Sequence, residues 1–122
     1  MLRIMIAVVL AFSLTAYAED EELHCNPDGN QQEMNRCAAD DFAKADVTLN
    51  QTYKSLMSRL DPQQQALLRQ GQRRWLQRRD PTCRKQNKVS EGGSIWPLEY
   101  MSCQADLTKR RIEVLQHWKQ KP

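Results

Sequence analysis

Four kinds of group in this 122-residue chain could do chemistry: cysteines, histidines, an Arg–Asp pair with outlying charges, and a Gly-Gly-Ser turn. The cysteines are Cys25, Cys37, Cys83 and Cys103. Zinc sites draw ligands from closely spaced pairs, but no C-x-x-C occurs and His24 is the only imidazole nearby. An even count in an exported chain argues instead for two disulfides. Three pairings are possible; Cys25–Cys37 with Cys83–Cys103 is favoured because each closes a short local loop. The histidines, His24 and His117, lie near opposite ends of the chain, and no motif sets a nucleophile beside a base. No catalytic, metal-ligating or cofactor-binding set is legible, so the chain reads as a binding protein rather than an enzyme.

The charged residues have a structural reading first. Arg79-Asp80 follows Trp75 by one helical turn, Asp46 adjoins an apolar stripe, and Arg111 falls on another. Asp46, Arg79, Asp80 and Arg111 are therefore expected to form a partly buried ion-pair network near a Cys83–Cys103 bridge. Such charges must be paired, because losing a buried partner costs about 3–5 kcal/mol. Gly92-Gly93-Ser94 precedes a helical pattern, so it offers free backbone N–H groups and a capping hydroxyl. Its bland reading is a joint with an N-cap; its sharper one is a loop that enters a partner's cleft. Candidate partner contacts are Gly92, Gly93, Ser94 and Trp96, with Arg69 and Arg73 from a basic run.

Three amphipathic helices are needed to position these groups. Met34, Ala38, Phe42, Ala45, Leu49, Tyr53, Leu56 and Leu60 recur in steps of four or three, one stripe of a long first helix. Asn30 with Glu33 reads as its capping box, and Asp61-Pro62 ends it and opens the second helix. The second helix is expected to bury Leu67, Leu68, Gly71, Trp75 and Leu76, and to expose Arg69, Gln70, Arg73 and Gln77. Asp80-Pro81 should stop or kink it, leaving a loop from Arg84 to Ser94. Ser94 would cap a third helix, with Pro97 in its first turn and a stripe of Trp96, Tyr100, Cys103, Leu107, Arg111, Val114 and Trp118. No strand signal or repeat occurs. The fold class is all-α: a small three-helix bundle, or a helical hairpin with a crossing third helix, with two disulfides.

The first eighteen residues have the pattern of a secretory signal peptide: Arg3, an apolar run from Ile4 to Leu14, and Ala16-Tyr17-Ala18. The domain assignment is a leader at 1–18 and one helical domain at 19–122. The apolar run is short for a membrane span, and no lipid-anchor cysteine stands at the cleavage point. The product is thus expected in the periplasm or secreted, without stable membrane insertion and with a cleaved signal peptide. The formal charge of +3 is unevenly spread. Glu19–Glu22 is acidic, while Arg69, Arg73, Arg74, Arg78 and Arg79 crowd the second helix. Export argues against nucleic acid as the partner of that face.

Several of these residues also form a recognisable set: Cys37-Ala38, Ala45-Asp46, Leu49-Asn50, Tyr53, Leu56, Gln72, Trp75, Arg79-Asp80, Cys83, Gly92-Gly93-Ser94, Tyr100, Cys103, Thr108, Arg111 and Leu115. The run W-x-x-x-R-D-x-x-C, then G-G-S, C and T-x-x-R, resembles the lysozyme inhibitor LprI-like domain from Cys25 to Leu115. The resemblance implies an α-helical, disulfide-bonded envelope protein without cofactor, and a c-type lysozyme as partner. Lysozymes cleave with two carboxyl groups flanking the glycosidic bond, so a loop with hydrogen-bond donors that covers those groups would inhibit. The alternative is an envelope interaction or stress protein that binds a different protein or an anionic surface through the Arg-rich second helix. Lysozymes are commonly basic, so that helix would not steer one in by charge.

Overall fold

The computed structural model describes residues 23–118; the expected leader, Glu19–Glu22 and the tail at Lys119–Pro122 lie outside the described residues. Three helices build the fold: α1 (Gln31–Met57), α2 (Pro62–Gln86) and α3 (Trp96–Gln116), with one 3-10 turn at Lys88–Ser90. The described residues contain no strand. Asn30 caps α1 by accepting the Glu33 N–H at 2.9 Å. Asp61 caps α2 by accepting the Gln64 N–H at 2.8 Å, with Pro62 at the first helical position. Both caps satisfy N–H groups that a helix start leaves without an intrahelical acceptor.

The helices run up, down, up. Asn35 and Asp41 of α1 meet Ser94 and Lys109, while Leu56 and Leu115 share the far end, so α1 and α3 are parallel. Their backbones lie close along much of their length, whereas α2 approaches α3 less and α1 least. Small buried residues explain the close pair: Ala38 and Ala45 on α1, Ala105 and Thr108 on α3. The apolar core gathers at the α1–α2 turn, where Leu49, Leu56, Leu60, Leu68, Ile112 and Leu115 are buried and Tyr53, Met57, Trp75 and Trp118 pack on them. Fully burying such an aliphatic side chain is worth about 1.5–3 kcal/mol. The opposite end has little of this and is cross-linked instead. Cys25–Cys37 and Cys83–Cys103 are both bonded, with Cα–Cα distances of 4.5 and 5.6 Å.

The α1 stripe has the expected register, but four details of the other helices differ. On α2, Leu68 and Gln72 are buried while Leu67 and Leu76 are exposed, because the inward line runs 68–72–75–79–83 and leaves those two leucines beside it. Pro81 does not stop α2, which continues to Gln86. The carbonyl deprived of its partner belongs to exposed Gln77, where water can replace the N–H, and the Cys83–Cys103 bridge clamps the turn beyond. Ser94 does not cap α3. The N-cap position is Ile95, with no side-chain cap, because α3 starts two residues beyond Ser94. Finally, α3 buries Gln104, Ala105, Thr108, Ile112 and Leu115, leaves the expected stripe half-buried, and exposes Val114. Packing against both neighbours gives α3 a wide covered face, and its closest contact is with α1 rather than along the stripe.

Candidate functional site

The chain between α2 and α3 is a structured loop at the cross-linked end. Asn87 donates its amide to the Cys83 carbonyl at 2.9 Å, and the 3-10 turn follows. Gly93 N–H donates to Ser90 O at 2.9 Å, closing a turn in which Gly92 takes φ +85°. That left-handed conformation disfavours any residue with a Cβ. The Ser90 hydroxyl bonds both the Asn87 carbonyl and the Glu99 carboxylate. Asn35 on α1 donates to the Ser94 carbonyl at 3.1 Å. The loop is therefore tied to all three helices. Its side chains nonetheless face outward: Val89 is fully exposed, and Gly92, Gly93, Ser94 and Ile95 are exposed too. Trp96 is half-buried beneath them, stacked on Tyr100 at 4.7 Å and 10°, with its indole N–H unpartnered among the described residues.

Behind the loop lies an open cleft of about 720 Å³, lined by Asp80, Arg84, Lys85, Lys88, Glu91 and Tyr100 among others. Burial, then the neighbouring Asp80 charge, raises the Tyr100 phenol above its ordinary value, so it stays a protonated donor at neutral pH. Burial also pushes the Asp80 carboxyl up, but hydrogen bonds from Gln104 and Arg79 and the charges of Arg79 and Arg84 outweigh it. The net shift is downward, and Asp80 is ionised.

Arg79 is the hub beneath this surface. It donates to Asp80 at 3.0 Å and to Asp46 at 3.4 Å, while its guanidinium sits 4.8 Å from the Phe42 ring centre and 5.6 Å from that of Trp75. Asp46, Arg79 and Asp80 are thus brought together. Arg111 is not among their ion pairs: its Nε donates to Gln72 at 2.8 Å, and its guanidinium lies 5.8 Å from the Trp75 ring centre. Burial and the nearby Arg78 charge lower its pKa, which fits a guanidinium without a carboxylate. The amides of Gln72 and Gln104 were not picked out from the sequence. Both are buried, and each satisfies a charged group, Gln104 by donating to Asp80 at 2.9 Å. Their signal was placement: each stands four residues after a covered position, Leu68 and Tyr100.

Other sequence candidates are dispersed. Arg69 and Arg73 lie on exposed α2, and Arg73 is thirteen residues from the helix end, roughly 20 Å from the loop at 1.5 Å per residue. His24 and His117 are exposed at opposite ends of the bundle. Among the described residues no three His, Cys, Asp or Glu side chains gather as metal ligands, and no helix is long and apolar enough to cross a membrane.

Comparison with known proteins gives two findings. A family model described as Lysozyme inhibitor LprI matches residues 24–115, which include both disulfides, the Arg79 hub and the loop. A curated relative, the uncharacterized protein R02472 of Rhizobium meliloti (strain 1021), is 28% identical, the match covering 90% of this chain and 88% of the relative. No solved structure matches the chain.

Proposed function

Because the chain belongs to the lysozyme inhibitor LprI family, we propose that it is an exported periplasmic binding protein that inhibits a c-type lysozyme by covering the enzyme's substrate cleft. The inserted element in this reading is the loop of residues 87–95. The observation that carries it is exposure combined with anchoring: Val89, Gly92, Ser94 and Ile95 face outward while Asn35, Ser90, Asn87 and the Cys83–Cys103 bridge hold the backbone. A pre-ordered loop loses little conformational entropy on docking. The glycines allow close backbone approach, Val89 and Ile95 supply apolar contact, and the exposed Ser94 hydroxyl is the donor offered to a catalytic carboxyl. Trp96 acts from below as a support rather than as a contact. Arg69 and Arg73 have no part in this contact.

Turbidity clearance of cell-wall suspensions by c-type lysozyme tests the reading. The protein should protect in a dose-dependent way at several salt concentrations, since the contact is not charge-steered. Ile95→Asp and Ser94→Ala should each weaken protection, the former at least tenfold, with the helical circular dichroism unchanged. Full inhibition by both variants would dismiss the loop. No protection at any dose would dismiss lysozyme as the target, and protection that vanishes at moderate salt would indicate coating of the substrate.

A further inference from the structure

The charge of this protein is concentrated on one helix. Within Pro62–Gln86 there are six arginines and one lysine against a single acid, Asp80, which Arg79 already engages. On the other two helices carboxylates stand near some of the cations: Arg36 pairs with Asp40 at 3.0 Å, and Lys109 with Asp41 at 2.8 Å. On α2, Arg69, Arg73, Arg74 and Arg78 are exposed and make no ion pair among the described residues. Arg69–Arg73 and Arg74–Arg78 are like-charge neighbours at i, i+4, a spacing that destabilises a helix. The lowered pKa of Arg111, partly due to Arg78, is a second sign that this charge is not neutralised. Two exposed leucines, Leu67 (59% exposed) and Leu76 (44%), stand half a turn apart around the axis, at opposite edges of this face beside the buried line.

We propose that the outer face of α2 docks on an anionic phospholipid surface, with its unpaired arginines on lipid phosphates and Leu67 and Leu76 at the level of the headgroups. Charge complementarity argues for a polyanion, and the leucines decide which kind. Arginine forks bind phosphate oxygens in bidentate fashion, which a soluble polyphosphate would satisfy equally well. Such a polymer has no use for exposed leucines, whereas a helix resting on a lipid surface brings leucines at the edges of its cationic face against the headgroup layer. The helix is about 37 Å long, enough to span several headgroups. Docked this way, the protein presents the loop of residues 87–95 at one end of the contact rather than beneath it. The lipid contact does not depend on what that loop binds.

Vesicle sedimentation tests the proposal with the purified chain, using phosphatidylglycerol–phosphatidylcholine mixtures against pure phosphatidylcholine. Each cation near such a surface contributes roughly a fivefold factor in partitioning. The variant with Arg69, Arg73, Arg74 and Arg78 all changed to Gln should therefore bind anionic vesicles on the order of a hundredfold or more weakly. Glutamine keeps the helix propensity, and circular dichroism checks the fold. The variants share the parent's N-terminus, so any contribution from it is common to both. Leu67→Gln with Leu76→Gln should leave binding at low salt but abolish what persists at high salt. Equal binding to neutral vesicles, no loss in the four-arginine variant, or capture by inorganic polyphosphate without vesicle binding would each overturn the proposal.

Discussion

Replacing Arg79 should do more damage than replacing any other charged residue, because its side chain fills the space that α2 leaves by standing off from α1. The side chain is 11% exposed and has four partners: Asp46, Asp80, Phe42 and Trp75. Two cation–π contacts in this sheltered position contribute about 1 kcal/mol each. The two carboxylates are nearly half exposed, so their ion pairs together add about 1 kcal/mol. Loss of the packed stem brings Arg79→Ala to roughly 3–4 kcal/mol. For a domain of this size that is a fall in Tm of at least roughly 10 °C. Arg79→Lys keeps the charge but not the plane that stacks on both rings, and should lose about half as much. Urea unfolding of the oxidised protein, followed by circular dichroism, measures both. A cost below about 1 kcal/mol for Arg79→Ala would show that Leu68, Trp75 and the Cys83–Cys103 bridge hold α2 without Arg79, and the reasoning about the stand-off would be wrong.

Three further outcomes follow from the same contacts. The two disulfides should be unequal: Cys83→Ala with Cys103→Ala should cost about 3 kcal/mol and open residues 87–95 to protease. The Cys25–Cys37 pair, which tethers an exposed lead-in, should cost less and leave that loop resistant, as limited proteolysis with mass mapping will show. Asp80 has a depressed pKa in the fold, so its contribution is complete above the unfolded value of about 3.9 and is lost as pH falls through the folded value. Wild type and Asp80→Asn should accordingly differ in urea midpoint at pH 7 and still at about pH 4, and converge only as the pH is taken below the folded value. Gly92→Ala should cost about 1–2 kcal/mol in the same urea assay, since φ +85° suits only glycine there and nothing around it relieves the strain.

The local signals in the sequence were strong where they involved one helix at a time. The stripe from Met34 to Leu60, the caps at Asn30 and Asp61, and a pairing of cysteines that closes short loops needed nothing beyond 3.6-residue periodicity, capping residue types and loop length. The same holds for the all-α class. Family membership was also legible, from the spacing of Trp75, Arg79-Asp80, Cys83, Gly92-Gly93-Ser94 and Cys103.

Only the tertiary structure decided matters that depend on which helix faces which. It is the close α1–α3 contact that buries Ala105, Thr108 and Ile112 in place of Val114, and no stripe on α3 alone reveals its nearer neighbour. α2 also runs past Pro81 to Gln86, although proline reads locally as a stop: the carbonyl it deprives belongs to exposed Gln77, and Cys83 beyond it is bonded to α3. Arg111, expected among the carboxylates, instead meets Gln72 of α2 beside Trp75, a pairing set by how α3 lies on α2. Periodicity fixes the angle of a side chain around its own axis; the distance and rotation between axes come from packing that all three helices share.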